Sequence, residues 1–286
     1  MLAAGSVLGT GYLGYPQEIH LSALSTGTSL RVDRFRLRPN NETMSLAVII
    51  TAAVDARGGA QLAAAVGQHL ARSAQVGAAV TGRPGAVLID LDFFGGGLDV
   101  ALGIERVAGV RWSDLVDLAS SAQGEALLSA LPKTGQLALL SASRSTLHPA
   151  ESEVTAVLQV LAQTAVPLVV WVPRAALDLV RNLPGNWMRL VLCGAELPSL
   201  VSAQQLLHPA WQVRGSRAEY ALVGPGGIPS SQAAEYLGTR PLSCVAKRHL
   251  PTSHRWTELR RGQRKLVEQL SSRLAATGRE TKHGTG

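Results

Sequence analysis

LAVIITAAVDARGGAQLAAAVGQHLARS, Leu46 to Ser73, reads as a buried strand, a glycine-containing turn and an amphipathic helix. Thr51 is the only polar residue from Leu46 to Val54, so both faces of the strand are apolar. Strands of that kind belong to parallel sheets covered on both sides. Working outward, the same alternation recurs. Further strands are expected at Ala86–Asp90, Gln136–Ser141, Leu168–Val172, Arg189–Cys193, Tyr220–Val223 and Leu242–Val245. Helical stretches fall at Gln61–Ser73, Gly124–Leu131, Pro149–Thr164, Arg174–Asn182, Leu200–Leu207 and Ser230–Leu237. Repeated strand–helix units with right-handed crossovers predict an α/β protein. It has a doubly wound, mainly parallel sheet with helices on both faces. A last helix, Trp256–Ala276, follows the sheet.

The 286 residues are 46% hydrophobic and 16% charged, which excludes a disordered chain. No apolar run approaches the roughly 20 residues that a membrane-spanning helix needs. No basic segment precedes an apolar one at the start, so a secretory signal is not expected. Cys193 and Cys244 lie in apolar runs and read as buried thiols of a cytoplasmic protein. Charge is segregated. Residues 247–286 hold ten of the 27 basic and three of the 20 acidic residues, so the net +7 belongs to them and the rest is balanced. A basic segment on a neutral globule suits an anionic partner, or is simply solvated.

Ligands of such sheets bind beyond the carboxyl ends of the strands. The first turn offers Gly58, Gly59, Ala60 and Gln61 as candidate phosphate-binding positions. A phosphate loop also needs a Lys for the phosphates and a Ser or Thr hydroxyl for Mg²⁺ as the helix starts. Neither is here; Arg57 stands ahead of the glycines. A Gly-Gly pair at such a turn is more often plain turn geometry. The second strand ends in Asp90-Leu91-Asp92, followed by Gly95-Gly96-Gly97-Leu98-Asp99. Carboxylates at that edge can hold Mg²⁺ water or orient an attacking water. They can equally cap helices and bond the loop. Asp92 is the candidate catalytic group and Asp90 a candidate cofactor contact. No metal-ligating cluster stands out. His148, His208, His249 and His254 are scattered, and Ser143 and Ser145 read as loop residues.

The run IDLDFFGGGLDVALGIERVAGVRWSDL resembles the actinobacterial septum site-determining (Ssd) group, relatives of the MinD, ParA and CpaE ATPases. ALPKTGQLALLSASR (Ala130–Arg144), PLVVWVPR (Pro167–Arg174), GPGGIPSSQAAEYLGTRPLSCVAKR (Gly224–Arg248) and ELRRG (Glu258–Gly262) agree in order. The resemblance implies the MinD-like, deviant-Walker P-loop fold, with ATP and Mg²⁺ as ligands. It implies a role in septum-site determination or in spatial organisation of a secretion or pilus machine.

Departures from the family weaken the ligand expectation. Against a loop such as GGRGGAGAST, this chain has AAVDARGGAQ, Ala52 to Gln61, with Gln61 in place of the final Thr. Trp171 takes the position of an acidic residue that supports Mg²⁺ in catalytic members. Only Asp90 and Asp92 match at the hydrolytic edge. Nucleotide binding is therefore expected to be weak or absent, and hydrolysis near background. The Trp171 ring is expected to fill space beside Asp90 or the Gly58–Gly59 turn. Residues 1–45 do not match the family's receiver-like domain. They read as an irregular extension, a remnant or a misassigned start, with a strand near Leu30–Leu37. Residues 46–250 form the P-loop domain and 251–286 a basic amphipathic helix and tail.

In that helix Trp256, Leu259, Leu266, Val267, Leu270 and Leu274 share one face, with Arg260, Arg261, Arg264 and Lys265 beside or opposite it. This is the pattern of a membrane-surface helix, or of a helix docking its stripe on the sheet. The expected partners are proteins of the septum or the secretion/pilus machinery, an anionic membrane at the inner face of the plasma membrane, and a second copy of the chain. Specific nucleic-acid binding is not expected, since no reading motif is present.

Overall fold

The fold is taken from a computed structural model. It describes residues 47–54, 58–74, 82–116, 123–142, 147–181, 183, 187–208, 217–224, 227–245, 262–270 and 272–273. The chain divides into Met1–Asn40 and Asn41–Gly286, and every described residue belongs to the second unit. The strand near Leu30–Leu37 lies outside the described residues.

Eight strands form one sheet: β1 Ala47–Ala52, β2 Ala86–Asp90, β3 Lys133–Thr134, β4 Leu137–Leu140, β5 Leu168–Trp171, β6 Met188–Gly194, β7 Arg217–Val223 and β8 Ser243–Val245. Their order is β3-β4-β2-β5-β1-β6-β7-β8. All neighbours are parallel except β3 and β4. The helices are α1 Gly59–Ser73, α2 Leu98–Leu102, α3 Gly124–Ala130, α4 Glu151–Ala162, α5 Leu197–Leu207, α6 Ser230–Leu237 and α7 over 262–270.

Two apolar layers sandwich the sheet. On one face α1 packs Leu62, Ala63, Val66 and Leu70 against Val48, Ile50, Leu88 and Val169. On the other, α3, α4, α5 and α6 pack Leu128, Val154, Leu158, Leu200 and Ala233 against Ile49, Ile89, Val170 and Val191. Burying both faces is what near-continuous apolar strands require, and it is the strongest favourable contribution to the fold.

The structure departs from the sequence expectations in places. Arg174–Val180 is a 3₁₀ segment, not an α-helix. Pro173, in extended conformation, precedes it. The short elements β3 and α2 were not expected. Cys193 is buried, but Cys244 is exposed. Ser243 and Val245 of edge strand β8 point inward and Cys244 between them points out, as strand alternation dictates. Within α7, Leu266, Val267 and Leu270 are fully buried in the α1-side layer. That part of the apolar stripe is docked on the sheet and not free to enter a bilayer. Arg264 and Lys265 are exposed, and Trp256, Arg260 and Arg261 lie outside the described residues.

Candidate functional site

β1 and β5 sit at the centre of the sheet, and β2 lies beside β5. Their carboxyl ends bring together the β1–α1 turn, the end of β5 and the β2–α2 loop. Trp171, the last residue of β5, pairs in register with Ile50 of β1 and with Asp90 of β2. The chain therefore juxtaposes three of the positions singled out from sequence: the Gly58–Gly59 turn, Trp171 and Asp90.

The turn enters α1 through Gly58, whose φ of 85° is left-handed and suits glycine. The Gly58 carbonyl accepts the Leu62 amide at 2.9 Å, closing the first helical turn. Gly59 is buried, with Ala60 and Gln61 half-buried beside it. A Cβ on Gly59 would overlap Cη2 and Cζ3 of the Trp171 ring. Trp171 is 8% exposed, so its indole is packed under the opening of α1. A helix opening is a place where backbone N–H groups can meet phosphate. Here no acidic residue occupies its first turn, and the turn's glycine packs on a ring. Arg57 lies outside the described residues.

The β2–α2 loop is built around Asp90, which is 1% exposed. One carboxylate oxygen accepts the Asp92 amide at 3.0 Å and the other accepts the Leu98 amide at 2.9 Å. Its carbonyl accepts the Trp112 indole N–H at 2.9 Å. Burial pushes the Asp90 carboxyl up to about 6, although the Asp92 and Leu98 amides pull it down. Nearby Asp92 and Asp99 add to the upward shift. Asp92 is half-buried, and a Cβ on Gly95 would overlap its carboxylate, so it folds back over its own loop. Asp99 is buried in the first turn of α2 and accepts the Val100 amide at 2.9 Å.

The loop's own amides take one acceptor site on each Asp90 oxygen, and Asp92 faces its own loop. Among the described residues no three His, Cys, Asp or Glu side chains stand close enough to hold a metal ion. Cys193 offers no nucleophile, because burial pushes its thiol up to about 11.

Sequence reasoning missed Trp112 and Ser202. Ser202 of α5 accepts the Val54 amide at 3.2 Å and the Arg174 guanidinium at 3.1 Å. It ties the turn to a helix 148 positions further along, a separation no local pattern reveals. Trp112 reaches Asp90 across 22 positions, and its WSDL context marks only a turn.

No protein-family model matches the chain. Uncharacterized proteins from two strains of Mycobacterium tuberculosis are each 26% identical over 195 residues, covering 65% of this chain and 49% of theirs. The chain thus spans about half the length of the curated relatives it matches. Among solved structures, MinD of Pyrococcus horikoshii, complexed with Mg-ADP, superposes with a TM-score of 0.59 at 15% identity, covering 81% of this chain and 98% of that one. The MinC:MinD complex of Aquifex aeolicus gives 0.58 at 14% identity, covering 80% and 96%. A ParA family ATPase from Chlorobium tepidum gives 0.56 at 15% identity, covering 83% and 98%. The mainly parallel eight-stranded sheet with helices on both faces is the MinD/ParA P-loop NTPase fold.

Proposed function

We propose that this is a MinD/CpaE-type protein, akin to the septum site-determining group, whose nucleotide site has degenerated. It works through contacts with proteins of the septum or of a secretion or pilus machine. The observation that carries this reading is the Trp171 indole packed under Gly59, in the turn where a P-loop protein gathers phosphate. Charge is the second support. Phosphoryl transfer depends on positioning and on cations at the transferred group. The helix opening of Ala60 and Gln61 brings neither lysine nor hydroxyl. Asp90, which would serve a metal, serves its loop. Asp92, the proposed remnant of a catalytic carboxylate, folds back over its own loop.

The solved neighbours supply the probes. One is a MinD with Mg-ADP and another a MinC:MinD complex, so Mg-nucleotide and a protein partner are the ligands to test. Titration calorimetry with Mg-ATP should give no binding or weak binding, and phosphate release should stay at background. An Mg²⁺-dependent release that drops in Asp92→Ala would reinstate an active ATPase. Absence of any nucleotide effect together with capture of a defined partner would favour a purely structural role. A homodimer is the first partner to look for, by sedimentation.

We also propose a weak, charge-driven contact with anionic membrane at the inner face of the plasma membrane. It uses Arg264 and Lys265 with Arg260, Arg261 and Trp256. Each basic residue adds at most about 1 kcal/mol near such a surface, so the contact is reversible and fades with salt. Because α7 is docked, truncation would also remove core packing. Charge reversal at Arg264 and Lys265 is the cleaner test. Equal flotation with anionic vesicles before and after reversal would remove this contact.

A further inference from the structure

We propose that Trp171-Val172-Pro173-Arg174 is an internal clamp that anchors Val54 and Gly59, the residues on either side of the β1–α1 turn, a task otherwise left to a bound phosphate. This rests on the reading of a degenerate nucleotide site given above and names what regulates that site. The segment leaves the sheet between β1 and β2. The Val172 amide donates to the Ile50 carbonyl at 2.9 Å, and the Trp171 carbonyl accepts the Leu91 amide at 3.0 Å. These bonds fix where the indole and the guanidinium can reach.

The clamp has two arms on either side of the turn. On the helix side, the Trp171 ring packs against Gly59 so closely that no Cβ fits there. On the strand side, Ala53 makes the last bond to β6, its amide donating to the Leu192 carbonyl at 2.8 Å. Beyond it the Val54 amide leaves the ladder and donates to Ser202 Oγ. Arg174 Nη1 donates to that same oxygen. A hydroxyl oxygen has two lone pairs, and both are then used. Pro173, with φ of −64°, ends the strand and starts the 3₁₀ segment that delivers Arg174 to α5. Ser202 is buried and Arg174 is exposed. The hydroxyl is therefore a fixed post, and the guanidinium locks it from the solvent side. Arg174 acts here as a positioning residue.

The test is amide hydrogen exchange on the full chain, read at Val54 by NMR with Ile49 and Val191 as core references. Arg174→Ala should speed exchange at Val54 several-fold, short of the roughly tenfold that loss of the Val54–Ser202 bond itself would give, and leave the references unchanged. Arg174→Lys keeps a charged donor and should retain most of the protection. Ser202→Ala should act in the same direction as Arg174→Ala. Because Arg174 is exposed, its variants keep the fold even where Ser202→Ala does not. Unchanged exchange at Val54 in Arg174→Ala overturns the clamp. Millimolar Mg-ATP should leave Val54 in the unaltered chain as it was. Strong protection by Mg-ATP, with Arg174→Ala still fast, would uphold the clamp and sink the degenerate-site reading.

Discussion

The β1–α1 turn and the β2–α2 loop sit at the same edge of the sheet and are held in different ways. The first is held by packing. Its helix opens on Ala60 and Gln61, and an indole fills the ground under Gly59. The second is held by amides that bond its buried carboxylate. Asp90 spends both oxygens on the Asp92 and Leu98 amides, and its carbonyl on Trp112. The presence of a carboxylate is therefore weaker evidence of its chemistry than the partners of its oxygens.

If the first loop is held by packing, its largest sensitivity is to volume. Trp171→Ala should lower unfolding stability by about 3–5 kcal/mol, the range for a buried tryptophan, read from urea unfolding. A loss under about 1 kcal/mol would mean the ring does not support the turn.

If the second loop is held by a buried carboxylate, its sensitivity is to pH. The folded Asp90 carboxyl, near 6, lies above its unfolded value of 3.8. The folded state then holds the proton more tightly. The Asp90 contribution is fully present below pH 4 and is lost as pH rises through about 6. Between pH 4 and pH 7 the stability of the unaltered chain relative to Asp90→Asn should fall by about 2.4 kcal/mol. A constant offset between the two, by urea unfolding at both pH values, would leave the loop's electrostatics unexplained.

The third comparison is steric. Gly59→Ala should cost about 1–3 kcal/mol, because the added methyl meets the Trp171 ring. In a Trp171→Val background that cost should vanish, since alanine otherwise suits a helix start. A double-mutant cycle by thermal unfolding reads the coupling, and additive effects would deny the contact.

The smallest effect is expected at Phe94. Its ring is 85% exposed at the tip of the second loop and touches His148 at 4.8 Å between centroids. Phe94→Ser should move stability by no more than about 0.5 kcal/mol. A larger loss would show that this loop, too, is held by packing.

Much of the fold was legible because parallel strands buried on both faces leave apolar runs that no other element explains. β2 was read to its exact ends, and β1, β4, β5 and β6 to within a residue or two. β7 was read short, since Arg217 and Glu219 break the apolar run at its amino end. β3 has two polar residues and pairs antiparallel with β4 alone, so it carries no periodic signal. α2 follows three glycines and lasts five residues, too few for a helical stripe. At the site, Trp171 was legible as a misfit between residue type and position. Ser202 and Trp112 were not, because their role lies in contacts across long separations.

The strand order also has a consequence for synthesis. β1 lies between β5 and β6, so Ile50 meets its neighbour Trp171 only after about 120 further residues have been added. At the usual roughly 5–20 residues per second, that leaves an apolar strand without its sheet for about 6–24 s on the ribosome. α1, whose alanine-rich face covers β1, is the first element available to shelter it. The opening helix is thus a cover for the nascent strand well before it is part of any site.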